Sequence, residues 1–210
     1  MRNLLPLLLV LSMLNVCGQD SALVKKDTPW ALYHSIEAQL DTVFDDSRAV
    51  SYMIEPLQQK YGYESKQMDS AFKVMHVVDS INIAKVRAIL DTYGWLGIDE
   101  IGEKANMALF LVIQRSDSLT QVTYLPMMQK AVKDGKAKAI DLAHLEDRIL
   151  TRQGKPQLYG TQLRRSSTTG HLELFPIQDE RNVNKRRAEV GLRPLEEAVR
   201  MLGIDYHLPK

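Results

Sequence analysis

Residues 105–113 form a nearly unbroken apolar run in which Asn106 is the only polar member. A helix that is apolar around its whole circumference must be covered on every side by other elements. The run therefore predicts a central helix, and the rest of the chain has to supply the helices around it. With 210 residues, the chain is long enough for one domain with a sizeable core.

Apolar residues recur at helical spacing before the central run. The pair at residues 28–29, Thr followed by Pro, is typical of a helix start. The polar residues 45–47 are expected to cap a second helix, which Pro56 would kink or stop. A loop is predicted at residues 95–102, where glycines stand near both ends. Three later helices have predicted ends. The first begins at Ser65 and ends at Gly94, and the second begins at Asp117 or Ser118 and ends at residues 134–135. The third begins at Asp141 and ends near Gly154.

The residue pattern changes after Gly154. Residues 156–165 and 171–177 are typical of two extended segments, and the turn-forming residues between them predict a β-hairpin. A short helix capped by Asn182 and a last helix at residues 194–202 follow. The predicted fold class is mainly α, a multi-helix single domain with a short β-hairpin near the C-terminal third. The expected organisation is a signal peptide at 1–18, a polar leader and first helix at 19–45, an α-rich domain at 46–202 and a C-terminal tail at 203–210.

The first 18 residues have the layout of a signal peptide, with a positive start at Arg2 and a short apolar segment before Cys17. That segment is too short to cross a bilayer as a helix, so we expect an exported bacterial protein, periplasmic or extracellular. Cleavage after Gly18 would leave a mature chain without cysteine, which excludes disulfides and cysteine-type zinc sites. The alternative is lipoprotein processing, in which Cys17 carries a lipid anchor.

Charge and motif content narrow the classes of function. The 27 Lys and Arg residues face 26 Asp and Glu residues, and this net charge of +1 argues against a nucleic-acid partner. No later segment is long and apolar enough to span a membrane. The sequence lacks the signature motifs of serine hydrolases, zincins, P-loop proteins and dinucleotide-binding folds. We predict no metal and no cofactor, and an anionic small molecule or an envelope component as the partner.

Several polar phrases occur in an order that resembles a known family. They are Tyr-Gly-Trp at 93–95, Gln-Arg-Ser-Asp at 114–117, Leu-Glu-Asp-Arg at 145–148 and Tyr-Gly-Thr-Gln at 159–162. Over about residues 46–202, the chain resembles the bacterial family catalogued as domain of unknown function 6624. The resemblance implies a helical, often exported protein with no established activity. It also implies His after the Gln of the second phrase, where this chain has Arg115.

Seven residues with amide, hydroxyl, carboxylate or guanidinium groups are predicted to bind a ligand in one polar pocket. They are Gln114, Asp117, Arg148, Tyr159, Thr161, Gln162 and Arg186. The arginines would hold an anionic group, such as a phosphate, a carboxylate or a uronic acid. The Gln and Tyr side chains would orient that group. Gln114 ends the apolar run, so we expect it to be buried and to need a partner.

Each of these residues also has a structural interpretation. Asp117 can cap the helix that follows it. Arg148 can bridge to a carboxylate such as Asp79 or Asp117, which is the interpretation we favour over a bound anion. Residues 157–162 can form a hydrogen-bonded corner instead of one wall of a site. Asp147 and Arg148 are adjacent on a helix and point about 100° apart, so each needs a partner of its own.

These candidates support three functional hypotheses. The leading one is a ligand-binding or interaction module of the cell envelope with a polar, Arg-containing pocket. The alternative is a hydrolase that acts on an envelope glycan or peptide, with Asp117 or Asp147 as the acid/base and Tyr159 or Arg148 as the stabilising group. The third is a purely structural scaffold, in which every polar residue named above finds a partner within the protein.

Overall fold

The computed structural model describes residues 30–168 and 170–209. The predicted signal peptide, the Thr-Pro pair at 28–29 and Cys17 lie outside these residues. The described part is a single helical domain with one small two-stranded hairpin, which confirms the predicted fold class. Its first five helices are α1 (Trp30–Tyr61), α2 (Lys66–Tyr93), α3 (Ile98–Arg115), α4 (Ser118–Lys133) and α5 (Ala139–Arg152). We call these five helices the helical bundle.

The helical bundle is built around α3, as the apolar run predicts. Helix α3 packs against α1, α2, α4 and α5, and Ala105, Leu109 and Ile113 are fully buried on it. The one polar residue of the run, Asn106, is also buried. Its Nδ2 donates to the carbonyl oxygens of Leu96, at 2.7 Å, and Lys136, at 2.8 Å. The Asn106 side chain therefore bonds α3 to the segment before it and to the segment after α4.

Helix α1 is continuous, so the predicted cap at residues 45–47 is wrong. Ser47 is buried in the middle of α1, where its Oγ accepts a hydrogen bond of 3.2 Å from Nδ2 of Asn82. Asp45 pairs with Lys104 at 2.8 Å. These polar side chains bond to neighbouring helices and do not cap the helix that carries them. The chain also stays helical past Pro56 and ends at Tyr61, so Pro56 does not stop the helix.

Local capping signals place most of the other helix ends correctly. Ser65 begins α2 and its Oγ accepts a hydrogen bond from the backbone N–H of Met68, as predicted. Gly94 ends α2 with a positive φ of 71°, a backbone conformation that favours glycine. Asp117 caps α4, which ends before residues 134–135. Helix α5 ends just before Gly154, again as predicted.

Two predicted boundaries differ from the structure. In the predicted loop at 95–102, Oε2 of Glu100 accepts a hydrogen bond of 2.6 Å from the N–H of Gly97, and this starts a helical turn at once. That turn joins the rest of α3 across Gly102, whose φ is 76°. Asp141 does not cap α5, because the helix begins two residues earlier at Ala139. Asp141 lies within the first turn, largely buried.

The C-terminal elements are short. Strands β1 (Leu163–Arg165) and β2 (Leu172–Leu174) form the predicted antiparallel hairpin, but each strand has only three residues. A 3₁₀ turn (Glu180–Asn182) leads into α6 (Val183–Glu189), and α7 (Leu195–Arg200) follows. Asn182 stands at the start of α6, where its side chain bonds to Asp179 and makes no capping bond.

The C-terminal segment, residues 156–206, has its own small apolar cluster. Val183, Leu195 and Val199 are its buried members, and partly buried side chains such as Ile177 pack against them. Across the described residues, no helix has the combination of length and hydropathy that a membrane span requires.

Candidate functional site

The structure places the seven predicted site residues in two locations instead of one pocket. Asp117 and Arg148 line a cleft between α2, α3 and α5. The segment that follows α5 and packs around Asp147 contains four others, Tyr159, Thr161, Gln162 and Arg186. Gln114 lines neither region and is only half-buried. The buried amide nearby is Gln121, whose Nε2 donates to the carbonyl oxygen of Gln114 at 2.5 Å.

Asp147 is the centre of the second location, and its side chain is completely buried. Its Oδ1 accepts hydrogen bonds from the backbone N–H groups of Leu158, at 2.6 Å, and Tyr159, at 3.0 Å. Its Oδ2 accepts from the backbone N–H of Thr161 and from the Thr161 hydroxyl, both at 2.9 Å. One carboxylate thus holds the Tyr-Gly-Thr turn onto α5. We call residues 157–162, wrapped around this carboxylate, the Asp147 corner.

Gly160 allows this turn to approach closely. Its φ of 70° lies in the left-handed region, and a Cβ atom at this position would stand 2.9 Å from Cδ1 of Leu195. Any larger residue would therefore require the buried Leu195 side chain to move and would hold a strained left-handed φ. The glycine in the Tyr-Gly-Thr-Gln phrase is explained by packing and backbone geometry together.

Gln157 connects the Asp147 corner to the hairpin and is fully buried. Its Nε2 donates to the carbonyl oxygens of Gln162 and Phe175, both at 3.0 Å, and its Oε1 accepts from the N–H of Gln162 at 2.8 Å. The side-chain amide adds to the backbone pairing at this point, where the N–H of Gln157 donates to the carbonyl oxygen of Pro176 at 2.9 Å. Gln162 also donates from Nε2 to the Thr161 hydroxyl. The polar groups of this phrase are therefore bonded within the chain.

Two arginines of α6 brace the same corner. Arg186 donates from Nε to the carbonyl oxygen of Leu158 at 2.9 Å and from Nη2 to that of Gln178 at 2.5 Å. Arg187 donates from Nη1 to the carbonyl oxygen of Tyr159 at 2.5 Å. The predicted anion-binding role of Arg186 gains no support from these contacts, because backbone carbonyls occupy its guanidinium.

The first location is a cleft of about 460 Å³, which we call the Arg148 cleft. Its polar lining consists of His76, Asp79, Ser80, Arg115, Ser116, Asp117 and Arg148. Arg115 donates from Nη2 to Asp79, with its nearest carboxylate oxygen at 3.0 Å, and from Nη1 to the carbonyl oxygen of Ser47 at 3.1 Å. Arg115 therefore neutralises Asp79 and connects three helices.

Arg148 has no such partner, so the favoured bridge to Asp79 or Asp117 is wrong. Among the described residues, its guanidinium makes no hydrogen bond or ion pair, and its Nε is buried without a partner. Burial lowers the pKa of Arg148, and the nearby Arg152 lowers it further. Arg152 itself is used, because its Nη1 donates to the carbonyl oxygen of Ser116 at 2.8 Å. The cleft therefore presents a cation that no anion of the described chain contacts.

Asp117 lies at the exposed edge of the same cleft. Its Oδ1 accepts a hydrogen bond of 2.8 Å from the N–H of Thr120, and this bond is the main reason that the pKa of Asp117 is lowered. The predicted cap is confirmed. The carboxylate is charged at neutral pH and stands near the cleft mouth, where it can accept hydrogen bonds from a bound molecule.

Sequence reasoning missed two titratable residues that line cavities. His76 lines the Arg148 cleft, and His144 lines a cavity on the other side of α5. Neither stands in a motif, and only the helical phase relative to Asp79 and Asp147 would have placed them on these faces. No group of three or more His, Cys, Asp or Glu residues in segments 30–168 and 170–209 is arranged to hold a metal ion.

The fold and the cleft define a helical domain with a polar, Arg-containing cleft and a carboxylate-centred corner. The chain belongs to the family of unknown function designated DUF6624, whose model matches residues 59–209. That match contains both the Arg148 cleft and the Asp147 corner, and it confirms the resemblance read from the polar phrases. Neither a curated protein nor a solved structure matches the chain.

Proposed function

We propose that this protein is a ligand-binding module of the bacterial cell envelope whose Arg148 cleft takes up a small anionic molecule. The observation that carries the proposal is the Arg148 guanidinium, which lines the cleft with its Nε buried and unpartnered. A partly buried cation without a counter-charge is costly, and a carboxylate or phosphate that forms a bidentate pair would relieve that cost.

The neighbouring charges favour an anion over a cation. Asp79, the acidic residue inside the cleft, is already paired with Arg115. Asp117 at the edge accepts hydrogen bonds from Thr120 and from the backbone N–H of Leu119, and its remaining lone pairs can accept from a donor in the cleft. A molecule with one carboxylate and several hydroxyl groups satisfies Arg148 and Asp117 together. A uronic acid, a component of many envelope glycans, is a suitable representative of this chemistry.

The hydrolase alternative has less support. Both oxygens of Asp147 accept hydrogen bonds from the Asp147 corner and the side chain is fully buried, so it is not available as an acid/base. Of the two proposed acids, only Asp117 stands at a cleft. A purely structural role also has less support, because it requires every polar residue to find a partner and Arg148 has none.

The binding proposal is tested by titration calorimetry with sodium glucuronate, sodium phosphate and uncharged glucose. We expect saturable 1:1 binding of glucuronate, weaker binding of phosphate and none of glucose. Arg148→Gln should weaken glucuronate binding about tenfold or more, because a hydrogen-bonded charge pair contributes about 1.5–3 kcal/mol. Lys133→Gln is the control for the loss of one positive charge, since Lys133 is exposed on α4 and lines no described cavity, and it should change binding less than threefold.

The folding of the Arg148→Gln variant separates binding from structure. Loss of an unpaired cation should leave the free energy of unfolding unchanged or raise it by up to about 1 kcal/mol. A large loss of stability, or equal binding by wild type and variant, would contradict the proposal.

Export is tested separately by mass spectrometry of the mature chain from the envelope. A new N-terminus at Gln19 would support cleavage after Gly18, and a lipidated Cys17 would support anchoring.

A further inference from the structure

A second cavity lies between α5, α7 and the turn that follows α6. Its volume is about 680 Å³, within the range of roughly 300–1,000 Å³ that small-molecule sites occupy. None of its lining residues lines the Arg148 cleft. An inference about this cavity is therefore independent of the function proposed above.

The walls of this cavity are mostly apolar. Ile140, Leu163, Leu192 and Val199 contribute to them, and Met201 and Leu202 stand beside them as exposed large apolar side chains. The small apolar cluster of the C-terminal segment leaves this space unfilled. An apolar chain that entered the cavity would remove these surfaces from water, and this burial would stabilise the complex.

A cation stands in the wall of the same cavity. Arg187 is 3% exposed, and its Nε and Nη1 donate to the carbonyl oxygens of Arg193, at 2.7 Å, and Tyr159, at 2.5 Å. These two bonds fix the plane of the guanidinium. Among the described residues, no carboxylate forms an ion pair with Arg187, and its Nη2 makes no hydrogen bond. The carboxylates of Asp147 and Glu196 act on Arg187 through charge without forming an ion pair, and Nη2 keeps a free donor.

His144 adds a neutral polar group to this wall. The side chain is half-buried, and its ring makes no hydrogen bond within the described part of the chain. Burial lowers the pKa of His144 by more than the Asp147 carboxylate raises it, and Arg187 lowers it further. The imidazole is thus neutral at neutral pH and offers one N–H donor, without a second positive charge.

We propose that this cavity binds a fatty-acid-like monocarboxylate, with its acyl chain against the apolar walls and its carboxylate on Arg187 and His144. The apolar lining selects the chain. The free Nη2 donor of the Arg187 guanidinium and the neutral N–H donor of His144 select a single anionic head, and they disfavour an ammonium head of the same length. The free acid is the committed occupant, in preference to the acyl chain of a membrane lipid.

The proposal is tested by titration calorimetry with dodecanoate below its micelle concentration. We expect saturable 1:1 binding, at least tenfold weaker binding of dodecyltrimethylammonium, and at least tenfold weaker binding of acetate, which lacks the chain. Vesicles of phosphatidylglycerol should not bind. Absence of saturable dodecanoate binding would overturn the proposal. Equal affinity for the ammonium amphiphile would overturn the carboxylate assignment, and binding to vesicles would overturn the choice of the free acid.

Substitutions then locate the site. Ala198 lines the cavity, so Ala198→Phe should fill part of it and weaken dodecanoate binding at least tenfold. Ala84→Phe is the matched control, because Ala84 is exposed on α2 and lines no described cavity. His144→Phe keeps the ring but removes the donor and should weaken binding several-fold. Dodecanoate binding that Ala198→Phe leaves unchanged would overturn this assignment, and glucuronate binding in the same variant reports separately on the Arg148 cleft.

Discussion

The helical bundle and the C-terminal segment are held together by different kinds of contact. In the helical bundle, one continuous cluster of buried Leu, Ile, Val and Ala side chains surrounds α3. In the described C-terminal segment, the buried apolar side chains are Val183, Leu195 and Val199, while Gln157 and Arg187 are equally buried. The first region is held by non-directional burial of apolar surface, and the second by directional hydrogen bonds from a few polar side chains.

This difference changes how each region should respond to damage. Apolar cores repack in part when one side chain is shortened, and the loss spreads over many contacts. A buried polar hub cannot repack, because each partner left behind is an unsatisfied donor or acceptor. The C-terminal segment should therefore be the more fragile region, although it has fewer buried residues.

The largest effect is expected for Asp147→Ala. The substitution leaves the amides of Leu158, Tyr159 and Thr161 without an acceptor and should lower the free energy of unfolding by about 4 kcal/mol. Urea denaturation measures this loss. Native-state hydrogen exchange should show fast exchange in the C-terminal segment and retained protection in α1–α3. A loss below 1 kcal/mol would show that the Asp147 corner does not hold this region.

Leu109→Ala tests the helical bundle in the same assays. Leu109 is fully buried on the central helix, and its truncation should cost about 3 kcal/mol through lost burial and a residual cavity. Here exchange should accelerate in every helix of the bundle together. If only α3 became faster, the bundle would not be one cooperative unit and the comparison would fail on this side.

Asp141→Asn should raise the free energy of unfolding, whereas the two substitutions above lower it. Burial raises the pKa of Asp141 from 3.8 to about 6, so the folded state disfavours its charge. That penalty is complete above pH 6 and absent below about pH 4, where the carboxyl is protonated in both states. The variant should therefore be more stable than wild type by about 1–2 kcal/mol at pH 7.5. Thermal unfolding at a series of pH values should show the gain disappearing as the pH falls from 6 to 4.

Arg164→Ala should have the smallest effect. Arg164 donates to Glu173 at 2.7 Å across the hairpin, but both side chains are about half exposed to solvent. Exposed ion pairs contribute about 0–1 kcal/mol, so we expect a change within about 0.5 kcal/mol by urea denaturation. A loss of 2 kcal/mol would mean that polarity alone, without burial, stabilises the C-terminal segment. Glu173→Ala breaks the same ion pair but keeps the contact of Arg164 with the Phe175 ring, so its effect should be no larger.

Helices and their ends were predictable because their signals are local. The caps at Ser65 and Asp117 and the stops at Gly94 and Gly154 each depend on residues within one turn. The helix end at residues 45–47 was predicted wrongly because the same polar residues can cap their own helix or bond to a different helix. Ser47 meets Asn82, which is 35 positions away in the sequence.

The candidate site was predictable only in part, because Asp117 and Arg148 line the cleft and the other five predicted residues do not. The alternation of directions along α5 correctly separated Asp147 from Arg148. Which partner each would find depends on how α2, α3 and the C-terminal segment pack, and no sequence period encodes that packing. Asp79 was expected to pair with Arg148, but it pairs with Arg115, which α3 places 3.0 Å from its carboxylate. Gln114 is half-buried instead of buried, and the buried amide is that of Gln121, on the helix that starts after the break at Asp117.

The adjacency of Asp147 and Arg148 has a consequence for recognition. Consecutive helical side chains keep a fixed angular separation, so α5 cannot rotate to re-aim Arg148 without pulling Asp147 off the three amides that hold it. The corner is therefore a rotational lock on the helix that carries the unpaired cation. An arriving anion meets a guanidinium whose supporting helix is already oriented, and less of the binding free energy is lost to ordering the protein.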